Sequence, residues 1–198
     1  MNTKELPSRE KIILAAIDCI EKDGLQSITV RSIARAAGVN IAAINYYFGS
    51  KKELVNEVLK STTEEFVGLW QEALESKDEP RERLREFCIT CFDGAFRYPG
   101  IAKAHIYDPL ILNDSQGYFV RRFNDLMGDI VKELKVEATD KQERDLKMRL
   151  IQMISAVFLP SLVPEMFNDF AGFSFSDAGT RKVYVDFLID RYFVPEIQ

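Results

Sequence analysis

Thr29-Val-Arg-Ser-Ile-Ala-Arg-Ala-Ala-Gly38-Val-Asn-Ile-Ala-Ala-Ile-Asn-Tyr-Tyr-Phe-Gly49-Ser-Lys-Lys-Glu-Leu54 is the stretch that decides the fold. Behind Thr29, an N-cap residue type, Val30, Ile33, Ala34 and Ala37 recur at helical spacing. Gly38 stops that segment and permits the left-handed backbone that a tight turn needs. Asn40 caps a second short segment carrying Ile44, Tyr47 and Phe48, and Gly49 ends it. Two short helices joined through Gly38-Val39-Asn40 make a helix-turn-helix. Ile33, Ala34, Ala37, Val39, Ile44 and Phe48 form the shared apolar seam, and the small alanines let the second helix cross closely. Ile41, Ala42, Asn45 and Tyr46 are left facing outward. Isoleucine and tyrosine suit water poorly there but suit thymine methyls, sugars and phosphates.

Charge supports the same reading. No acidic residue lies between Asp23 and Glu53, whereas Arg31, Arg35, Lys51 and Lys52 do. Residues 1–60 carry net +2 and residues 61–198 net −7, within a chain of 198 residues at −5. An acidic average points away from nucleic acid, but the distribution describes a small cationic head on an acidic body.

The same residues resemble the DNA-binding head of the tetracycline-repressor (TetR) family. The pattern is T-x-R-x-I-A-x-x-A-G-V, an aromatic pair with Phe48, then S-K-x-x-L, confined to roughly residues 6–65. The resemblance implies a homodimer, a three-helix DNA-binding domain and a C-terminal domain of about six helices binding a small effector. It implies DNA contacts from Thr29, Arg31, the Ile41–Tyr46 face with Ala42, Ala43 and Asn45, and from Tyr47 and Lys51. One departure is Asn45, where family members often carry tyrosine. An asparagine amide can pair with adenine N6 and N7, which a phenol cannot. The small Ala42 and Ala43 allow close approach to the groove.

Outward from this stretch the chain reads as helix throughout. Ser8 can cap Ile13, Ala16, Ile17 and Ile20, and Gly24 stops them. Ser50-Lys51-Lys52-Glu53 has capping-box spacing and opens a long helix to about Ser76. Pro80 suits the first turn of a helix along Leu84, Phe87, Cys88, Cys91, Phe92 and Phe96. Tyr98-Pro99-Gly100 breaks it before a short helix around residues 101–107. Ser115 caps a stripe of Phe119, Phe123, Leu126, Ile130 and Leu134. Thr139-Asp140-Lys141-Gln142 is a second capping box, leading into Leu146, Leu150, Met153, Ile154 and Val157. A turn at residues 171–176 precedes a last helix with Tyr184, Phe187, Leu188 and Tyr192. The expected fold is all-α with about nine helices. Residues 6–65 form the DNA-binding domain and 66–198 the effector-binding and dimerisation domain.

Other constellations are weaker. Cys88-Ile89-Thr90-Cys91 has C-x-x-C spacing, but a structural zinc needs about four ligands and the chain has no second pair. A redox pair normally sits at a helix N-terminus, and this one lies mid-helix beside Phe87 and Phe92. Two buried thiols are the plainer reading, and oxidation sensing is the alternative. His105, the only histidine, is either a satisfied core residue or an effector contact. No nucleophile motif, carboxylate pair or phosphate loop accompanies it, so no catalytic residue, metal or cofactor is expected. Three cysteines and no apolar leader point to a cytoplasmic protein with reduced thiols. The longest apolar stretch, Leu150 to Val163, is too short and interrupted to span a bilayer.

The expectation is therefore an effector-responsive one-component transcriptional repressor, binding a palindromic double-stranded DNA operator as a homodimer. An apolar or aromatic effector would lie among Phe92, Phe96, His105, Phe123, Met127 and Phe158. The penultimate helix is apolar on two sides: Leu146, Leu150, Met153 and Val157 on one, Ile151, Phe158 and Leu162 on the other. The second side would meet the partner, joined by Phe187 or Leu188. Two rivals are a ligand-binding protein that keeps the head only for packing, and a helical enzyme pairing His105 with a carboxylate.

Overall fold

The computed structural model describes residues 8–76, 78–134 and 140–193. They form ten α-helices and no strand: α1 (Ser8–Asp23), α2 (Val30–Ala37), α3 (Ile41–Phe48), α4 (Lys51–Glu75), α5 (Pro80–Arg97), α6 (Pro99–Ile111), α7 (Tyr118–Leu134), α8 (Asp140–Leu162), α9 (Glu165–Ala171) and α10 (Ala178–Tyr192). The fold is all-α, with α9 the helix that periodicity did not announce. The proposed caps at the side chain of Ser8 and in the box beginning at Thr139 lie outside the described residues. No described helix is long and apolar enough to cross a membrane.

The chain divides into two compact units, Met1–Glu65 with Tyr98–Val120, and Phe66–Arg97 with Arg121–Gln198. In the first, Ile12, Ile20, Ile33, Ile44, Leu54 and Val58 are fully buried in one cluster. Each such side chain contributes about 1.5–3 kcal/mol, against about 1 kcal/mol for a helix cap. The seam thus holds the helices together, and the caps decide where they start and stop.

Residues 98–120 join this first unit through a contact between two backbones. The Glu21 carboxylate of α1 accepts hydrogen bonds from the Gly100 and Ile101 N–H groups at 2.8 and 2.7 Å. It thereby caps α6 from another helix, where Tyr98 offers no side-chain cap. A Cβ on Gly100 would lie 2.8 Å from both Glu21 Cα and Ile20 O, so only glycine allows this approach. Ile101 and Ala104 then sink into the head's core.

The second unit packs α5 with α8 and α10 around Trp70, Phe87, Phe92, Leu126, Ile130 and Met153. Arg181 of α10 is buried; it donates to Asp93 of α5 and to the Phe175 carbonyl, and covers the Phe96 ring at 4.7 Å. Helix α8 runs through Pro160, which has no N–H for the Ala156 carbonyl four residues back. The Tyr184 hydroxyl of α10 donates to that carbonyl instead, at 3.2 Å. The helix therefore continues to Leu162, and the missing bond becomes a tie between α8 and α10.

Candidate nucleic-acid interface

The helix-turn-helix is closed by short-range bonds that its sequence encodes. Thr29 is extended, and its Oγ1 accepts from Ser32 N at 3.0 Å while Ser32 Oγ accepts from Thr29 N at 2.9 Å. This is a reciprocal cap with serine in the place glutamate or glutamine usually takes. Gly38 sits at φ +67°, and Val39 N returns to the Ala34 carbonyl at 3.0 Å, which satisfies the end of α2. Asn40 Oδ1 accepts from Ala43 N at 2.7 Å and starts α3. Gly49 at φ +75° ends α3, and Ser50 Oγ accepts from Glu53 N at 3.1 Å to start α4.

These closures fix what α3 shows to solvent. Ile44 and Phe48 are buried, whereas Ile41, Ala42, Asn45, Tyr46 and Tyr47 are exposed and Ala43 is half-buried. Tyr46 is 83% exposed and meets Tyr47 edge-on at 5.1 Å between ring centroids. Such apolar display on an eight-residue helix has no counterpart in the head's own packing. Among the described residues no hydrogen bond engages the Asn45 amide, so its donors and acceptor are available. Thr29 and Arg31 are exposed at the start of α2, and Lys51 is half-buried at the start of α4.

Two further cations stand beside the expected ones. Arg35 and Lys52 are exposed, and among the described residues neither they nor Arg31 and Lys51 form an ion pair. The charge pattern had marked them, but the resemblance did not assign them a contact. Arg9 serves a structural purpose instead: it pairs with Glu57 and lies 5.3 Å over the Phe48 ring, tying α1 to α4.

Residues 12–58 match the signature of "Bacterial regulatory proteins, tetR family". The head of this chain carries the TetR-family DNA-binding signature. Over 85 residues it is 29% identical to the HTH-type transcriptional repressor KstR2 of Mycolicibacterium smegmatis, covering 43% of this chain and 42% of that protein. The match thus spans less than half the length of that relative. In fold the TetR likeness extends further. A TetR-like transcriptional regulator from Rhodococcus sp. RHA1 superposes with a TM-score of 0.67 over 94% of this chain and 97% of that one, at 19% identity. Thermus thermophilus FadR, a TetR-family repressor in complex with lauroyl-CoA, gives 0.57 over 95% and 96% at 21% identity.

Outside the head, the expected effector residues separate between the two units. Phe92 is fully buried in the second unit's core, ring to ring with Phe96 at 5.7 Å and with Phe175 at 5.6 Å. Met127 and Phe96 pack against that core, and Phe123 and Phe158 are half-buried. His105 lies in the first unit, on α6. Its Nε2 and the Thr62 hydroxyl of α4 are 3.0 Å apart, its ring stacks on Phe119 at 4.8 Å, and Nδ1 has no partner among the described residues. Burial lowers its pKa to about 4. The ring is therefore neutral at pH 7, and its bonded neighbour is a hydroxyl rather than the carboxylate a catalytic pair requires.

Burial also pushes the Cys88 thiol up to about 12 and raises Cys91 well above its usual value. Both stay protonated at neutral pH, the opposite of a reactive pair. Among the described residues no group of three or more His, Cys, Asp or Glu could hold a metal. A groove of about 260 Å³ between α5 and α10 is lined by Arg81, Glu82, Arg85, Asp186, Ile189 and Asp190. Its cations are already paired, Arg81 with Asp190 and Arg85 with Asp186, and no expected effector residue lines it.

Proposed function

We propose that this chain is an effector-responsive one-component transcriptional regulator, acting as a repressor, whose homodimer binds a palindromic DNA operator. The observation that carries the reading is the outer face of α3. Uncharged Ile41, Asn45 and Tyr46 project from it, flanked by Arg31, Arg35, Lys51 and Lys52, which form no ion pair among the described residues, in a segment without acids. The cations and the α4 N-terminus suit phosphates, which position the head. The projecting side chains suit base edges and thymine methyls, which specify sequence. Residues 6–65 are the DNA-binding domain and 66–198 bind effector and partner. The chain has no catalytic role in this reading.

The effector in this proposal is apolar, and Phe92, Phe96, Phe123, Met127 and Phe158 of the second unit remain the residues proposed to meet it, while His105, in the first unit, takes the core reading. Structural relatives in complex with lauroyl-CoA and stearoyl-CoA support a ligand with a long apolar portion. Effector binding would change the separation of the two recognition helices, which must stand about 34–36 Å apart to read successive major grooves. Capture of fragmented genomic DNA by the purified protein, followed by sequencing, tests the reading. Recovery of a shared inverted repeat is expected. Retention of unrelated fragments in proportion to their abundance would overturn it.

A further inference from the structure

Helix α3 carries no charged side chain. Its residues, Ile41 to Phe48, include no acid and no cation, although Arg31, Arg35, Lys51 and Lys52 flank it in sequence. That omission restricts what the helix can read in a major groove. Guanine is read by the donors of arginine or lysine, and cytosine N4 by the acceptors of aspartate or glutamate. Adenine is read by asparagine or glutamine, and thymine by apolar contact with its methyl group. Of these partners α3 offers only the last two kinds. Asn45 is exposed, and among the described residues its amide makes no hydrogen bond. The bond that ends α3 uses its backbone carbonyl instead, which accepts from Gly49 N at 2.9 Å. Ile41 is 41% exposed, and the small Ala42 is exposed beside it. Tyr46 and Tyr47 stand about 100° and 200° round the helix from Asn45, toward the flanks where phosphates run.

Ile41 and Asn45 lie one turn apart on the same side of α3, about 6 Å along its axis. Base pairs stack about every 3.4 Å, so the two side chains address pairs no more than about two steps apart. Adenine N6 bears two hydrogens. Thymine O4 holds one within the base pair, and the other faces the major groove. There Asn45 Oδ1 can accept it while adenine N7 accepts from Nδ2. A methyl group in place of that outer hydrogen removes the donor and fills the space the amide needs. Thymine differs from uracil only by the methyl group that Ile41 would cover, a contact worth about three- to fivefold in affinity.

We propose that α3 reads only A·T base pairs in each half-site, an adenine through Asn45 and a thymine methyl through Ile41, and that methylation of that adenine at N6 lowers affinity for the operator. The inference rests on the operator binding of the reading above and adds the bases read and a chemical mark that controls it. The test uses the inverted repeat recovered by the capture experiment. It is synthesised with N6-methyladenine at one adenine position at a time, in both half-sites, and separately with uracil at one thymine position at a time. Fluorescence anisotropy compares each duplex with the unmodified one, at a salt concentration where each variant still binds the unmodified repeat, and circular dichroism checks folding. Expected is one adenine whose methylation weakens binding about 5- to 150-fold per half-site. One thymine within about two base pairs of it should lose about three- to fivefold when replaced by uracil. Asn45→Ala should abolish the first difference and keep the second, and Ile41→Ala should do the reverse. An unmodified repeat bound no better than a scrambled duplex overturns the operator reading itself. A repeat bound specifically but indifferent to both modifications, or whose losses persist in Asn45→Ala and Ile41→Ala, overturns the base assignment alone.

Discussion

Glu21→Ala removes the acceptor that α1 offers to the start of α6. Two N–H groups, at 2.8 and 2.7 Å from the carboxylate, lose their partner. A hydrogen bond to a charged acceptor contributes about 1.5–3 kcal/mol, and a negative charge at a helix N-terminus adds about 0.3–1 kcal/mol. The carboxylate is only part-buried and water reaches some of the freed donors, so the expected loss is about 2–3 kcal/mol. In a chain of this length that corresponds to roughly 5–10 °C in melting temperature. Glu21→Gln keeps an acceptor oxygen but not the charge and should lose about half as much. Gly100→Ala attacks the same contact from the other side, because its Cβ would sit 2.8 Å from backbone atoms of α1. Urea unfolding followed by circular dichroism compares these variants with Glu57→Ala, which breaks an exposed pair expected to cost under about 1 kcal/mol. A Glu21→Ala variant destabilised no more than Glu57→Ala would refute the capping role of Glu21.

Four further outcomes are expected. His105 titrates near 4 when folded and near 6.5 when unfolded, so its contribution is complete above about pH 6.5 and is lost as pH falls toward 4. Unfolding at pH 7.5 and pH 5 should differ by about 1–2 kcal/mol more in the unaltered protein than in His105→Gln; equal differences would contradict the burial argument. Cys88, fully buried with a raised pKa, should react with a thiol reagent only after unfolding, and labelling of native Cys88 would show that the α5 core opens. In matched salt series, Lys51→Ala should weaken operator and random DNA alike and lower the salt slope by about one per subunit. Asn45→Ala should cost about 1–3 kcal/mol per half-site on the operator alone, and equal weakening of both DNAs would make Asn45 a positioning residue.

The head was legible because what closes it is local. Thr29, Gly38, Asn40 and Gly49 each act on backbone groups within five residues, and helical spacing alone separates Ile44 and Phe48 from Asn45 and Tyr46. What escaped the sequence acts over long separations. Glu21 caps a helix about eighty residues away, and Gly100 reads as a helix breaker until α1 is laid against it. Nothing local to Pro160 shows that Tyr184 takes up the Ala156 carbonyl. His105 and Phe92 were grouped by chemistry, yet the fold puts one beside Thr62 and Phe119 and the other inside the second unit's core. Leu162 shares the helical face of Ile151 and Leu188 adjoins Phe187 in sequence, and only packing shows that the leucines are covered and the other two open.

The central claim is that α3 and its flanking cations read a DNA sequence, and fluorescence anisotropy over a series of salt concentrations tests it most directly. The purified protein is titrated into a duplex carrying the recovered inverted repeat and into one of the same length and composition with scrambled order. Both affinities should fall steeply with salt, with the repeat bound at least about a thousandfold more tightly at physiological ionic strength. Equal affinity for the two duplexes, or no binding at low salt, would contradict the account.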